Sequence, residues 1–272
     1  MPLLPMSPQV FSILSSLIAE RFGLHFELSH AAIFGEKVGA RAVEAGFESL
    51  LDYYYFLRYD PGGQPELDRL AEALVVGETY LFRELSPLQV AITNFIVPLV
   101  GGVRRPRIWC AACATGEEPH TIAMLLAAQG ILPEVDLVAS DVSGAALARA
   151  RQGRFGRRAL RTEVPDFARP FVTVTDQGVA LPDQLTRAID WRQINLMDEA
   201  AVDALGSFDV IVCRNVLIYF SDETARRVVE RLAARLRPGG ALFVGISESL
   251  LRFGTPLRCE EESGVFLYRT PS

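Results

Sequence analysis

Cys110 and Cys113, in the stretch "WCAACATGEEPH" (residues 109–120), spell C-x-x-C, a spacing that suits a metal or a redox pair. The same stretch runs on into Thr115-Gly116-Glu117-Glu118, which reads as a loop turning from a strand into a helix around a ligand. No second C-x-x-C or nearby histidine pair completes a four-ligand zinc site. The chain has four cysteines, Cys110, Cys113, Cys213 and Cys259, too few for a disulfide framework at this length. They sit in apolar runs, where a free thiol behaves as a small hydrophobe. We therefore read no metal here, and take the cysteines as small residues filling tight space beside a ligand.

Other residues able to do chemistry follow apolar runs that read as strands, and in open α/β sheets ligands bind beyond the carboxyl ends of strands. A nucleotide loop usually carries several glycines so that backbone can approach the ligand, yet here Gly116 remains with Ala111, Ala112 and Ala114 in place of the rest. Small residues suffice when no pyrophosphate has to fit, which favours S-adenosylmethionine (SAM) over NAD. Glu117 and Glu118 either simply complement the helix dipole or hold the ammonium of SAM's methionine part. Asp141, 25 positions after Gly116, suits a ribose diol or caps the following helix. Asn195 and Leu196 offer an amide and an apolar side chain to adenine's edge and face. "CRNVLIYF" (213–220) puts Arg214, Asn215 and Tyr219 directly after an apolar strand. A buried Arg214 needs an anionic partner, either a nearby glutamate or a ligand.

The elements that must position these residues come in two rhythms. From Ser7 to about Val76 the apolar spacing is helical: Phe11, Leu14, Leu17, Ile18 and Phe22 form one stripe, Phe47, Leu50, Leu51 and Tyr54 another, Leu67, Leu70 and Leu74 a third. Ser7-Pro8 fits an N-cap, Gly23 a C-terminal stop, "DPGG" (60–63) a turn, and Ser86-Pro87 a second helix start. After Pro106, strands at 107–111, 135–140, 188–194, 208–213 and 241–246 alternate with helices near 117–128, 143–151 and 222–236, which implies a parallel sheet covered on both faces. "PLRCEE" and "GVFLYR", separated by Glu262-Ser263, read as an antiparallel hairpin. A doubly wound, Rossmann-like α/β sheet ending in such a hairpin resembles the class I SAM methyltransferase architecture. We expect an all-α domain over 1–76, a linker and lead-in helix over 77–105, and the methyltransferase domain over 106–272 with a short β subdomain at about 171–191.

Composition limits the function classes. Half the chain is apolar, enough for a substantial core, and 27 Lys and Arg against 33 Asp and Glu give a net charge of −6, which disfavours a nucleic acid partner. No apolar run is long enough for a membrane span and no secretory signal opens the chain, so we expect a cytoplasmic protein with no membrane insertion. We expect a monomer.

"WCAACATGEEPHTIAMLL", "ASDVSGAALARARQGRF", "INLM", "FDVIVCRNVLIYF" and "RPGGALFVGISESL", in that order, resemble the CheR-type chemoreceptor glutamate O-methyltransferases. "GETYLFRE" (77–84) is similar to the family's N-x-T-x-F-F-R segment. The resemblance covers essentially the whole chain. It implies cofactor contacts at Gly77, Thr79, Arg83, Glu117, Glu118, Asp141, Asn195, Leu196, Arg214 and Asn215, and substrate-orienting roles for Arg83 and Tyr219. The family's linker asparagine is Gly77 here, and Leu81 replaces an aromatic. The resemblance further implies SAM as methyl donor, S-adenosylhomocysteine (SAH) as product, and glutamates on the cytoplasmic helical bundle of a methyl-accepting chemoreceptor as substrate. Many relatives grip a receptor's C-terminal peptide with a glycine-flanked loop in the β subdomain. The matching region here has Gly178 alone, so we expect no tether-peptide binding. Lys37 and Arg41, i and i+4 on one predicted helix, either face the receptor's acidic methylation region or form a solvated face. Two alternatives stay open: a small-molecule carboxyl methyltransferase, and a non-catalytic SAM-binding signalling module.

Overall fold

The structure, a computed structural model, describes residues 4–75 and 77–270. The chain divides into two compact units: the residues before Gly77 together with Tyr219–Thr224, and Gly77–Ile218 with Ala225–Ser272.

The first unit is helical. α1 (Pro8–Phe22) starts where Ser7 Oγ accepts the Val10 N–H at 3.2 Å with proline in the first turn, and stops at Gly23, which is left-handed (φ 76°). α2 (Ala31–Glu44), α3 (Leu50–Tyr59) and α4 (Gly63–Leu74) follow. Phe11, Leu14, Ile18, Phe34, Val38, Tyr53, Leu67 and Leu70 interlock as its core. Inside it Glu66 accepts two hydrogen bonds from Arg41, at 2.5 and 2.7 Å, and one from the Tyr53 hydroxyl at 2.8 Å. Arg41 is therefore an internal tie and not a free receptor-facing cation. Lys37 also turns inward, its Nζ donating to the Leu74 carbonyl at 3.3 Å. The i, i+4 spacing is real, but a glutamate 25 residues away decides where Arg41 points. The 219–224 segment joins this unit through the His25 N–H, which donates to the Tyr219 carbonyl at 2.8 Å, and a bridge between Leu24 and Phe220.

The second unit opens with a lead-in, 77–84, and α5 (Leu85–Val90). The start expected at Ser86-Pro87 lies two residues earlier, after Glu84 in a left-handed conformation (φ 45°). The helix then widens into a π-turn over Ala91–Ile96 and tightens over Val97–Leu99, features that apolar spacing does not encode. Next come β1 (Arg107–Ala111), α6 (Glu117–Ala128), β2 (Asp136–Asp141), α7 (Gly144–Ala150) and three short strands, β3 (Arg154–Gly156), β4 (Thr173–Thr175) and β5 (Gly178–Ala180). α8 (Asp183–Arg187), β6 (Ile189–Gln193), α9 (Glu199–Asp203), β7 (Phe208–Val212), α10 (Asp222–Arg235), β8 (Leu236–Phe243), β9 (Arg258–Glu262) and β10 (Val265–Arg269) complete it.

Seven strands form one sheet in the order β6-β2-β1-β7-β8-β10-β9. The first five are parallel, and β10 runs antiparallel to both β8 and β9. This is the class I SAM methyltransferase topology. Trp109, Phe208 and Phe243 are fully buried in it. β3, β5 and β4 form a separate sheet spanning 154–180. The short β subdomain thus differs from the expected 171–191: it begins earlier, because β3 pairs with β5 across a long connection, and Ile189–Gln193 belongs to the large sheet. β2 lies on one side of β1 and β7 on the other, so the strand order reverses at β1, and a ligand crevice is expected beyond its carboxyl end.

Candidate SAM site

Register lines up the exits: Ala111 pairs with Ser140, Asp141 with Gln193, Cys110 with Val212, and Val212 with Phe243. The candidate residues that follow these strands therefore share the carboxyl edge of the sheet.

The loop after β1 zigzags through positive φ at Ala112 (56°), Ala114 (48°) and Gly116 (90°). Alanine at φ > 0 is costly, and such strain persists only where surroundings over-determine it. Here the Cys113 N–H donates to the Ser140 carbonyl at 2.9 Å, and the Ala114 N–H to Asp141 Oδ2 at 2.8 Å. Alanines thus do occupy glycine-like conformations. Gly116 is irreplaceable, since an added Cβ would lie 2.6 Å from Ala150 Cβ and 2.9 Å from the Trp191 ring.

Asp141, buried at the end of β2, also accepts the Ser143 N–H through Oδ1 at 2.9 Å, while Ser143 itself caps α7. Asp141 therefore braces two backbone segments. Glu117 is buried and accepts the Thr115 hydroxyl at 2.7 Å. Burial outweighs that hydrogen bond and raises its pKa above the ordinary carboxylate value. Glu118 accepts the Cys110 thiol at 3.0 Å and Arg214 Nη1 at 2.9 Å.

Arg214, at the exit of β7, is 1% exposed in its side chain. Its Nη2 donates to Glu84 Oε2 (2.9 Å) and to the carbonyls of Arg83 (2.8 Å) and Glu84 (3.3 Å). It thereby fixes the strained turn in which Phe82 (φ 64°) and Glu84 (φ 45°) are left-handed. Arg83 folds back along the lead-in, donating to the Glu78 carbonyl at 3.1 Å. Thr79 is half-buried on the same segment. Gly77 lies against the loop, and a Cβ added there would be 4.0 Å from Ala114 Cβ. At the exit of β6, Asn195 Oδ1 accepts the Met197 N–H at 2.9 Å, and Leu196 is buried. Arg231 of α10 holds this turn by donating to the carbonyls of Leu196 (3.0 Å) and Met197 (2.7 Å). Asn215 sits at φ 58°, with its N–H on Glu248 Oε2 at 2.7 Å. Tyr219 groups with the helical unit.

Sequence reasoning missed Glu84, Arg231 and Glu248. Glu84 and Glu248 lie inside the quoted "GETYLFRE" and "SESL" stretches, whereas no local pattern points to Arg231.

Burial pushes the Cys110, Cys113 and Cys213 thiols well above the ordinary thiol pKa. No cluster of His, Cys, Asp or Glu among the described residues could hold a metal ion. His120 is buried beneath the loop, its Nδ1 2.7 Å from the Gly116 carbonyl and its Nε2 3.0 Å from Thr186 Oγ1. The carbonyl can only accept, so Nδ1 carries the proton and Nε2 accepts from Thr186.

The donor set suits SAM. A buried Glu117 whose ionisation is disfavoured gains from an ammonium nearby. Asp141 is a carboxylate at the exit of β2, the kind of group that accepts from a diol. Among the described residues Arg214 Nε is a buried donor without a hydrogen-bond partner.

Comparison with known proteins gives the family. Residues 77–264 match the family model described as CheR methyltransferase, SAM binding domain. The chain is 35% identical over 245 residues to chemotaxis protein methyltransferase 2 of Vibrio cholerae, covering 87% of this chain and 84% of that protein. It is 34% identical over 236 residues to chemotaxis protein methyltransferase 1 of Pseudomonas aeruginosa, covering 83% and 85%. It is 35% identical over 240 residues to the probable biofilm formation methyltransferase WspC of P. aeruginosa, covering 86% of this chain and 56% of that protein. A sheet of this topology, a glycine-poor loop braced by Asp141 and a family match over residues 77–264 lead to one conclusion: the chain belongs to the CheR family of SAM-dependent methyltransferases.

Proposed function

We propose that this methyltransferase esterifies glutamate side chains on the cytoplasmic helical bundle of a methyl-accepting chemoreceptor. One observation carries the choice of a carboxylate as acceptor. The chain has three histidines; His25 and His30 belong to the helical unit, and His120 is buried with both ring nitrogens engaged. Burial lowers the His120 pKa to about 4, so it is neutral and sequestered at physiological pH. An amine or alcohol acceptor must lose a proton to a base, whereas a glutamate, with a reference pKa of about 4.3, is already the nucleophile. The relatives named chemotaxis protein methyltransferases suit a protein of chemotaxis signalling as the substrate.

SAM supplies an electrophilic methyl group, and the protein's task is alignment. In this reading Glu117, Asp141, Asn195, Leu196, Arg214 and Asn215, with Gly77, Thr79 and Arg83 on the lead-in, hold the cofactor. Glu118 acts through Arg214, which it anchors. Arg83 and Tyr219 orient the acceptor carboxylate, Tyr219 by a hydrogen bond that leaves its nucleophilicity largely intact. The reaction takes place in the cytoplasm; no helix among the described residues is long and apolar enough to cross a membrane. The small sheet does not grip a receptor C-terminal pentapeptide, and tight calorimetric binding of such a peptide would contradict this.

The decisive assay is transfer of radiolabelled methyl from SAM to receptor cytoplasmic fragments, followed by base-labile release of methanol. Label that enters small carboxylic acids but not the fragments would redirect the substrate. SAM binding without any transfer would make the chain a SAM-responsive module.

A further inference from the structure

The parallel ladder between β7 and β8 ends where the Cys213 N–H donates to the Phe243 carbonyl at 2.9 Å. Beyond that point both strands must turn away, and their N–H groups lose ladder partners just where the site residues begin. Glu248 takes over. Its carboxylate, in a residue 8% exposed, accepts the N–H groups of Asn215 (2.7 Å) and Gly245 (2.8 Å) through Oε2 and that of Leu217 (2.8 Å) through Oε1. Its own N–H closes the turn onto the Gly245 carbonyl at 2.8 Å. Three charge-assisted bonds from two strand exits converge on one side chain. Asn215, in the left-handed region, is packed over the backbone of Gly245: an added Cβ there would lie 2.6 Å from Asn215 Nδ2 and 2.9 Å from Glu248 Oε2.

We infer that Glu248 is a positioning residue for SAM, holding Asn215 in the one backbone conformation from which its amide faces the cofactor. This rests on the reading of Asn215 as a cofactor contact. A glutamine at 248 keeps the shape but puts an amide NH2 against at least one of the three N–H donors. An aspartate keeps the charge but falls one methylene short.

The test is SAH binding by calorimetry on the whole chain, which needs no methyl acceptor, with thermal melts alongside. Expected: Glu248→Gln and Asn215→Ala each weaken SAH binding about tenfold, and the double variant is no worse than the weaker-binding single, since both remove one pre-organised contact. A Glu248→Gln affinity within about twofold of the parent while Asn215→Ala binds poorly would overturn the positioning role, as would strictly multiplicative effects. An Asn215→Ala variant that binds SAH normally would sink the cofactor reading of Asn215 and the proposal with it. Should Glu248→Gln fail to fold, Glu248→Asp is read in its place: weaker SAH binding supports the inference and unchanged binding refutes it.

Discussion

Arg214 Nη1 donates to Glu118 Oε2 at 2.9 Å, joining the exit of β7 to the first turn of α6. The same guanidinium reaches Glu84, so two partly buried carboxylates depend on one buried cation. Removing one partner of a buried ion pair leaves an uncompensated charge, at a cost of about 3–5 kcal/mol. Arg214→Met is expected to lose stability on that scale in urea melts, and adding Glu118→Gln to recover part of it. Arg214→Lys restores charge but not reach, because one ammonium cannot span Glu118, Glu84 and two carbonyls. A loss below about 1 kcal/mol for Arg214→Met would show that the guanidinium does not organise the turn.

The sheet and its exits were legible because buried parallel strands are short apolar runs, and "RIWCA" matches β1 residue for residue. The loop was legible in kind: the alanines at 112 and 114 do take glycine-like dihedrals. What stayed hidden is pairing at long range. Glu84 lies 130 residues from Arg214, Glu248 lies 33 from Asn215, and Glu66 lies 25 from Arg41, so no periodicity reports them. β3 was hidden for the same reason, being three residues whose partner is β5. Arg214 itself illustrates the limit. That a buried arginine needs an anion is readable from the chain, but which anion is a property of the fold.

His120 gives a pH dependence with a definite sign. Its pKa falls from 6.5 to about 4 on folding because burial disfavours the imidazolium. Above 6.5 both states are neutral and the contribution is complete. Between 6.5 and about 4 the unfolded chain binds a proton that the folded one refuses, so stability declines as pH falls, by on the order of 3 kcal/mol over the window. Denaturant melts of His120→Gln are expected to lose less stability than the parent between those limits. Identical slopes in the two proteins would assign the acid sensitivity elsewhere.

Gly77 stands where the family motif carries asparagine, and nothing in its surroundings demands glycine: the nearest atom to an added Cβ is Ala114 Cβ at 4.0 Å. Asparagine at this place restores a side chain able to hydrogen-bond the cofactor. A net hydrogen bond is worth about 0.5–1.5 kcal/mol, so Gly77→Asn is expected to tighten SAH binding about 2- to 10-fold in calorimetry. Weaker binding would mean that this lead-in has settled on glycine for a reason of its own.

Arg83 and Tyr219 share the proposed alignment of the acceptor, and kinetics can separate their parts. Arg83 lies on the lead-in, its side chain 29% exposed, 3.9 Å from Glu84 and donating to the Glu78 carbonyl at 3.1 Å. Arg83→Ala is therefore expected to weaken SAH binding and to raise KM for the receptor fragment as well. Tyr219 is expected to act on the acceptor alone. Tyr219→Phe removes one hydroxyl, and a hydrogen bond to a charged group is worth about 1.5–3 kcal/mol, so kcat should fall about 10- to 100-fold. SAH affinity should stay within about twofold if, as proposed, the hydroxyl serves the acceptor and not the cofactor. Parallel losses in kcat and SAH affinity for Tyr219→Phe would place its hydroxyl on the cofactor, and unchanged rates would remove it from the reaction.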